Sequence, residues 1–248
     1  MKTANYLNFG TRYLAVLAGA LACTFTAAPA FAGTFSVTPV RIYMAPRDRA
    51  VAITLTNEGD SPVALQADIN VWTQKPDGTD ELVLTEDMIL SPPIIKLAPK
   101  ARQVVRLALL KPADASRQLT YRLIVREIPE ATAPKDGSIV VPISLALSMP
   151  VFITPPMAKR DIDCQATRDG AALAVSCGNT GSAYAQIREI TFSRGSTDLA
   201  RFEGGVYLLP GARKAIAVKP EQAIAAGDAV MTVTFDDGKS QTRNVSLP

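Results

Sequence analysis

From Ile139 to Ile153 every odd position carries a large apolar side chain: Ile139, Val141, Ile143, Leu145, Leu147, Met149, Val151 and Ile153. The even positions, Val140, Pro142, Ser144, Ala146, Ser148, Pro150, Phe152 and Thr154, are mostly small or polar. Strict alternation predicts one long β-strand with a single apolar face. Pro142 and Pro150 both fall on even positions. Alternate residues point their N–H groups to opposite edges of a strand, so both prolines remove donors from the same edge. The odd edge keeps its full set and can pair with a neighbour. Proline is disfavoured in central strands, so the even edge is predicted to be the outer one, where it also discourages edge-to-edge aggregation. Periodicity alone leaves the destination of the apolar stripe open: the chain's own core, or another protein.

Shorter β-rich or alternating stretches precede this strand, at Phe35–Tyr43, Ala50–Asn57, Val63–Thr73, Gln103–Leu110 and Leu119–Glu127. Turn groups separate them, as in Asn57-Glu58-Gly59-Asp60-Ser61-Pro62 and Lys75-Pro76-Asp77-Gly78. A second set follows Thr154-Pro155-Pro156-Met157: Asp161–Thr167, Ala172–Ser176, Ala183–Ser193, Gly205–Leu209, Ala215–Val218, Ala229–Phe235 and Ser240–Ser246. Strands at this spacing without a long helical pattern predict an all-β chain of two sandwiches, residues 33–153 and 158–248, joined by a Pro-Pro hinge at 154–157.

The beginning of the chain reads differently. Lys2 and Arg12 bracket a basic start, Tyr13 to Thr26 is almost wholly apolar, and Ala30-Phe31-Ala32 precedes Gly33. This is the pattern of a secretory signal peptide over residues 1–32, cleaved after Ala32. Its apolar run is short for a membrane span and no second run follows, so membrane insertion is not expected. Cys23 lacks the usual leucine three residues earlier, where Ala20 stands, which disfavours a lipidated terminus.

Export changes the reading of the cysteines. Cys164 and Cys177 flank the turn signal Arg168-Asp169-Gly170-Ala171, and a hairpin there sets them nearly opposite each other. In an exported protein that arrangement predicts a disulfide; a reactive or metal-binding pair fits less well, because the spacing is not CxxC and the chain has no histidine. The missing histidine also removes Ser-His-Asp triads, imidazole zinc sites and imidazole bases, and the carboxylates form no calcium-loop pattern. No enzyme activity, metal or cofactor is expected. Taking Lys2 and Arg12 from the 26 basic residues leaves 24 against 23 acidic ones, so charge points to neither nucleic acid nor an anionic membrane.

Several ordered motifs resemble one family. They are Ser36-Val37-Thr38-Pro39-Val40-Arg41, Leu97-Ala98-Pro99 leading to Gln103-Val104-Val105-Arg106-Leu107, Tyr121-Arg122-Leu123-Ile124-Val125-Arg126-Glu127-Ile128-Pro129, Val151-Phe152-Ile153-Thr154-Pro155, and Asn179-Thr180-Gly181-Ser182-Ala183-Tyr184. Together they are similar to the PapD-like periplasmic pilus chaperones of the chaperone–usher pathway, and Val71-Trp72-Thr73-Gln74 resembles the archaic branch. The resemblance implies two immunoglobulin-like domains in an L or boomerang, a periplasmic location, pilus subunits as clients and an outer-membrane usher as the receiving partner. It also implies donor-strand complementation, in which the last strand of the first domain fills the gap in an incomplete subunit. A client-free copy has self-capping as a homodimer open to it.

Matching the motif puts the donor side chains on Val141, Ile143 and Leu145, and the stripe extends them to Leu147; Met149, Val151 and Ile153 are read as the chain's own core. The family grips the client's terminal carboxylate with a basic pair. Its arginine matches Arg41, whereas its lysine position falls on Pro150. Lys100, Arg102, Arg106 and Arg126 are the candidates to replace it, and Thr154 stands where the family has an interdomain ion-pair arginine. The competing readings are a structural pilus or surface-fibre subunit, or another exported immunoglobulin-like binding protein. A fibre subunit would be a single incomplete sandwich with a free terminal donor, whereas this stripe is internal.

Overall fold

The structure, a computed structural model, describes residues 35–129, 144–169, 172–220 and 223–247. The expected signal peptide and two expected donor residues, Val141 and Ile143, lie outside them. Among the described residues every regular element is a strand.

In the first half the strands are β1 (Phe35–Thr38), β2 (Ile42–Met44), β3 (Ala50–Asn57), β4 (Val63–Gln74), β5 (Asp80–Leu84), β6 (Met88–Ser91), β7 (Ile94–Leu97), β8 (Arg102–Leu109), β9 (Leu119–Glu127) and β10 (Ala146–Ile153). They form two sheets, β1-β3-β8-β6 and β2-β10-β9-β4-β5, with β7 also paired to β4. Alternation decides what lies between them. Ile53, Leu55, Val105 and Leu107 from one sheet meet Leu65, Leu123, Val125, Val151 and Ile153 from the other in one buried core. Between Thr38 and Ile42 the chain passes from the first sheet to the edge of the second, and this crossing places Arg41 at the leading end of β2.

The second half contributes β11 (Ile162–Asp169), β12 (Ala172–Asn179), β13 (Ala185–Arg194), β14 (Thr197–Leu208), β15 (Arg213–Pro220), β16 (Gly227–Phe235) and β17 (Ser240–Leu247). Their order is β11-β12-β15-β14-β13-β16-β17, around a separate core that includes Val175, Ile187, Phe192, Val218 and Val233. Cys164 and Cys177 are direct cross-strand partners in the β11–β12 hairpin and are disulfide-bonded, with Cα atoms 4.0 Å apart. Asn57 and Asn179 play matching roles in the two sandwiches. Each is buried, and each spends its side-chain amide on backbone carbonyls in loops or at a strand end, Ser61 and Ala98 for Asn57, and Ala183 and Leu208 for Asn179. Buried backbone acceptors that no strand can satisfy are paired in this way.

The strand that carries Pro150, β10, lies between two neighbours of unequal length. Along its whole described length β10 pairs antiparallel with β9, whereas β2 covers it, in parallel, only from Val151 to Ile153. The Glu127 amide donates to the Leu145 carbonyl and the Thr154 amide to Met44, so odd residues of β10 face β9 and even residues face the β2 edge. Pro150 therefore removes no hydrogen bond from the β9 pairing. From Ser144 to Pro150 the even edge carries no paired strand among the described residues.

Candidate functional site

Residues on the outer face of the second sheet line up in rows across its strands. In β10, Pro150 is registered with Arg122 of β9, which is registered with Asn70 of β4, and Asn70 with Leu84 of β5. Continuing the parallel register of β2 one residue back sets Arg41 beside Pro150. The next row is Tyr43, Phe152 and Thr120, and the Trp72–Leu82 pair of β4 and β5 continues the same face. Two guanidinium groups thus flank a proline, with an aromatic row alongside.

That aromatic row meets the second sandwich. Phe152 stacks on Tyr184 with ring centres 3.9 Å apart and on Tyr43 at 5.8 Å, while Trp72 meets Tyr207 edge-on at 5.2 Å. Trp72, Phe152 and Leu209 form a small buried cluster with Tyr184 and Tyr207 packed against it. Such pairs contribute about 0.5–1.5 kcal/mol each beyond their buried area. Trp72 Nε1 is buried without a hydrogen-bond partner.

Polar contacts surround these rings. Arg41 Nη1 donates to Asp236 Oδ2 at 2.7 Å and to the Tyr43 hydroxyl at 3.2 Å, and Nη2 donates to Gln186 Oε1 at 2.6 Å. A guanidinium has five N–H donors, so the Nε–H and one Nη2 N–H remain for another acceptor. Tyr184 donates its hydroxyl to Asp236 Oδ2 at 3.0 Å and shares a 2.8 Å hydrogen bond with the Tyr43 hydroxyl. Gln118 Nε2 donates to Thr154 Oγ1 at 2.6 Å, and the Gln118 side-chain oxygen accepts from the Tyr184 amide. Thr154, standing where the family has an interdomain arginine, is held by Gln118, and the ion pair between the sandwiches comes from Arg41 instead.

Burial shapes the charges here. It works against the Arg41 cation, but the Tyr43 hydroxyl and the fields of Tyr207, Tyr43 and Tyr184 outweigh it, and the group binds its proton more tightly than an ordinary guanidinium. Burial pushes Tyr184 and Tyr207 upward, and for Tyr184 the hydrogen bond with Tyr43 adds to the effect. The same desolvation lowers Arg122, with the fields of Tyr207 and Asp80 only partly opposing it.

The other expected residues are dispersed. Leu145 and Leu147 are half-buried and pack against the first core, which fully buries Met149, Val151 and Ile153. Arg126 lies on the same face as Pro150, beside Ala146, and is paired to Asp68 at 2.9 Å. Lys100 bonds to Asp60 at 3.0 Å and to the Glu58 carbonyl in a turn. Arg102 and Arg106 stand exposed on β8, in the other sheet. Arg122, absent from the expected set, is the basic residue registered next to Pro150. It sits inside the motif beginning at Tyr121, but its neighbour across the strand could not be read from spacing along one strand. Among the described residues no group of three or more His, Cys, Asp or Glu side chains is placed to hold a metal.

A pair of β-sandwiches joined through a polar and aromatic seam, with one strand edge left open beside it, defines a two-domain β-sandwich binding protein. The profile of the pili and flagellar-assembly chaperones, PapD N-terminal domain, matches residues 34–159, and the chain belongs to that family of pilus assembly chaperones. No curated protein matches it in sequence. Solved structures share its fold at low identity. The chaperone–tip adhesion subunit complex CsuC–CsuE of archaic Csu pili from Acinetobacter baumannii aligns at 18% identity over 87% of this chain and 100% of the other, with a TM-score of 0.63. The Salmonella enterica SafA pilin–SafB chaperone complex aligns at 15% identity over 87% and 97%, with a TM-score of 0.56. The E. coli chaperone DraB aligns at 18% identity over 86% and 96%, with a TM-score of 0.54.

Proposed function

We propose that this chain is a periplasmic chaperone that binds, folds and caps pilus subunits by lending them a strand, and then delivers them to an outer-membrane usher. The open edge of β10, ending at Arg41, carries this reading. A strand added to that edge is collinear with β2, and its near end meets Arg41. If that end is a terminal carboxylate, the added strand runs parallel to β10, as β2 does. Val141, Ile143, Leu145 and Leu147 are the lent side chains. Four buried aliphatic groups amount to roughly 6–12 kcal/mol gross, before the ordering costs of association. Folding help of this kind needs neither nucleotide nor cofactor. Release follows when another subunit's extension takes the lent strand's place, and the same open edge lets a client-free copy pair with a second one.

The test replaces Ile143 and Leu145 together with Asp and co-produces the variant with an exported pilus subunit that the native chain captures. Loss of subunit co-purification from a folded chaperone is expected. Undiminished co-purification overturns strand lending.

A further inference from the structure

The second sandwich closes on itself without completing a last strand pair. Its two end strands, β11 and β17, approach each other, yet no ladder joins them among the described residues. A side chain stitches this seam instead. Arg243 of β17 donates from Nη1 to Asp163 Oδ1 at 2.7 Å and to the Cys164 carbonyl at 3.4 Å, both on β11. A cavity of about 190 Å³ lies at the seam, lined by Arg243, by Cys164 of the disulfide, and by Met231 and Val233 of the core.

The disulfide is therefore unevenly guarded. Cys164 is 5% exposed and Cys177 0%. Sheet order explains the difference. Cys177 lies in β12, flanked by β11 and β15, and its register partners are Cys164 and Lys214. Cys164 lies in an end strand, whose second side faces the seam. The cavity meets the bond at Cys164 and does not border Cys177. Thiol–disulfide exchange requires a thiolate to reach one of the two sulfurs, and access decides which one.

We propose that the β11–β17 seam admits a small thiol to the folded second sandwich, with Cys164 as the sulfur attacked and Cys177 as the sulfur released. Size sets the class of reagent: a cavity of about 190 Å³ takes the CH₂–S end of a cysteine-derived thiol and no folded protein. In reduction the incoming thiolate bonds to Cys164 Sγ, the S–S bond breaks, and Cys177 leaves with the electron pair. Its charge is unfavourable in an apolar core, so Cys177 returns to Cys164 and expels the reagent unless a second thiol arrives first. That second thiol takes the reagent away as a disulfide, and the two cysteines keep the two protons that the reagents gave up. Oxidation runs the same path backwards: the Cys164 thiolate attacks a small disulfide, one half leaves as a thiolate, and Cys177 displaces the other. Arg243 is the latch of the entrance. The site is separate from the β10 edge and stands whether or not that edge lends a strand.

Glutathione is the probe, on the chain from Gly33 onward, in which Cys164 and Cys177 are the only cysteines. In Cys177→Ala, glutathione disulfide without denaturant should add one glutathione to Cys164, read by mass spectrometry. In Cys164→Ala the remaining Cys177 should react at least about a hundredfold more slowly, as a buried thiol does. Equal rates in the two variants overturn the assignment of the sulfurs. The intact chain gives an arm that needs neither variant to fold. Its reduction by excess glutathione should not depend on urea below the unfolding transition, because the seam opens without global unfolding. Arg243→Ala should speed that reduction about two- to fivefold, the factor an exposed ion pair supplies. A reduction rate that climbs with urea in step with the unfolding equilibrium overturns entry through the seam, and so does a rate in Arg243→Ala equal to the native one.

Discussion

Arg41 and Asp236 join the two sandwiches through a 2.7 Å ion pair, with 29% of the arginine side chain and 12% of the aspartate exposed. The pair does not stand alone: Tyr184 bonds the same carboxylate oxygen, and Gln186 takes the other terminal nitrogen of Arg41. Removing either ion leaves the other half-buried, so truncation costs more than the pair is worth, and only a double-mutant cycle separates the two. The cycle of Arg41→Ala and Asp236→Ala, read by denaturant unfolding, is expected to give a coupling of about 1–3 kcal/mol. Strictly additive effects would show that the ion pair adds no coupling across the seam, which the aromatic stack and the Gln118–Tyr184 hydrogen bond would then hold.

Along β10, exposure grades from one end to the other. Leu145 and Leu147 are half-buried against the first core, whereas Met149 is 3% exposed and Val151 0%. A side chain kept for another protein should contribute little to its own fold. Met149→Ala should destabilise the chain by about 2–5 kcal/mol, as expected for a fully buried residue. Leu145→Ala should cost no more than about 1 kcal/mol, since only part of its surface is removed from water. Equal losses in chemical denaturation would place Leu145 wholly in the chain's own core.

The strand edge that Pro150 occupies was legible in the sequence, because period-two alternation and proline parity are local properties. The Cys164–Cys177 pairing was legible for the same reason, since a hairpin places near neighbours in register. Other elements were not. The sequence pattern marked only Gly205–Leu209 where β14 runs from Thr197 to Leu208. Gly204 and Gly205 imitate a turn there, yet the Phe202 ring covers the space that a Cβ at Gly204 would fill. Strands β5, β6 and β7 were also missed, being only four or five residues long, with Pro92 and Pro93 between the last two. The Arg122 site was hidden more deeply. Trp72, Arg122, Phe152 and Tyr207 come from four strands and two sandwiches, and periodicity along one strand says nothing about its neighbours. The single hint was Phe152, a large ring on an otherwise small or polar face.

Because the two sandwiches have separate cores, the disulfide should act on only one of them. Closing a loop of 13 residues stabilises by roughly 3 kcal/mol in the chain-entropy model. Reductant, or Cys164→Ala with Cys177→Ala, should therefore lower the unfolding midpoint of the second sandwich. Met231 lies in its core and Leu123 in the first, so hydrogen exchange at these two amides distinguishes the halves. Faster exchange at Leu123 to the same extent would mean that the two sandwiches unfold as one unit.

Alkaline pH should destabilise the chain, at the seam through Tyr184 and Tyr207 and in the first core through Tyr121, and the sign follows from these tyrosines. Burial raises Tyr121, Tyr184 and Tyr207 above the ordinary phenol value, with Asp87 adding to the effect at Tyr121 and Tyr43 and Asp236 adding to it at Tyr184. Below the unfolded value of about 10 the phenols are protonated in both states and their contribution is complete. Above it the unfolded chain ionises while the folded chain holds its protons, so stability falls as pH rises toward the folded values. Unfolding free energy measured in steps from pH 8 to pH 12 is expected to be flat at first and to decline from about pH 10. Tyr184→Phe removes one of the three groups and should make the decline shallower, even though it lowers stability at neutral pH by losing the hydrogen bonds to Tyr43 and Asp236. An unchanged slope in that variant would show that Tyr184 ionises as readily in the folded chain as in the unfolded one.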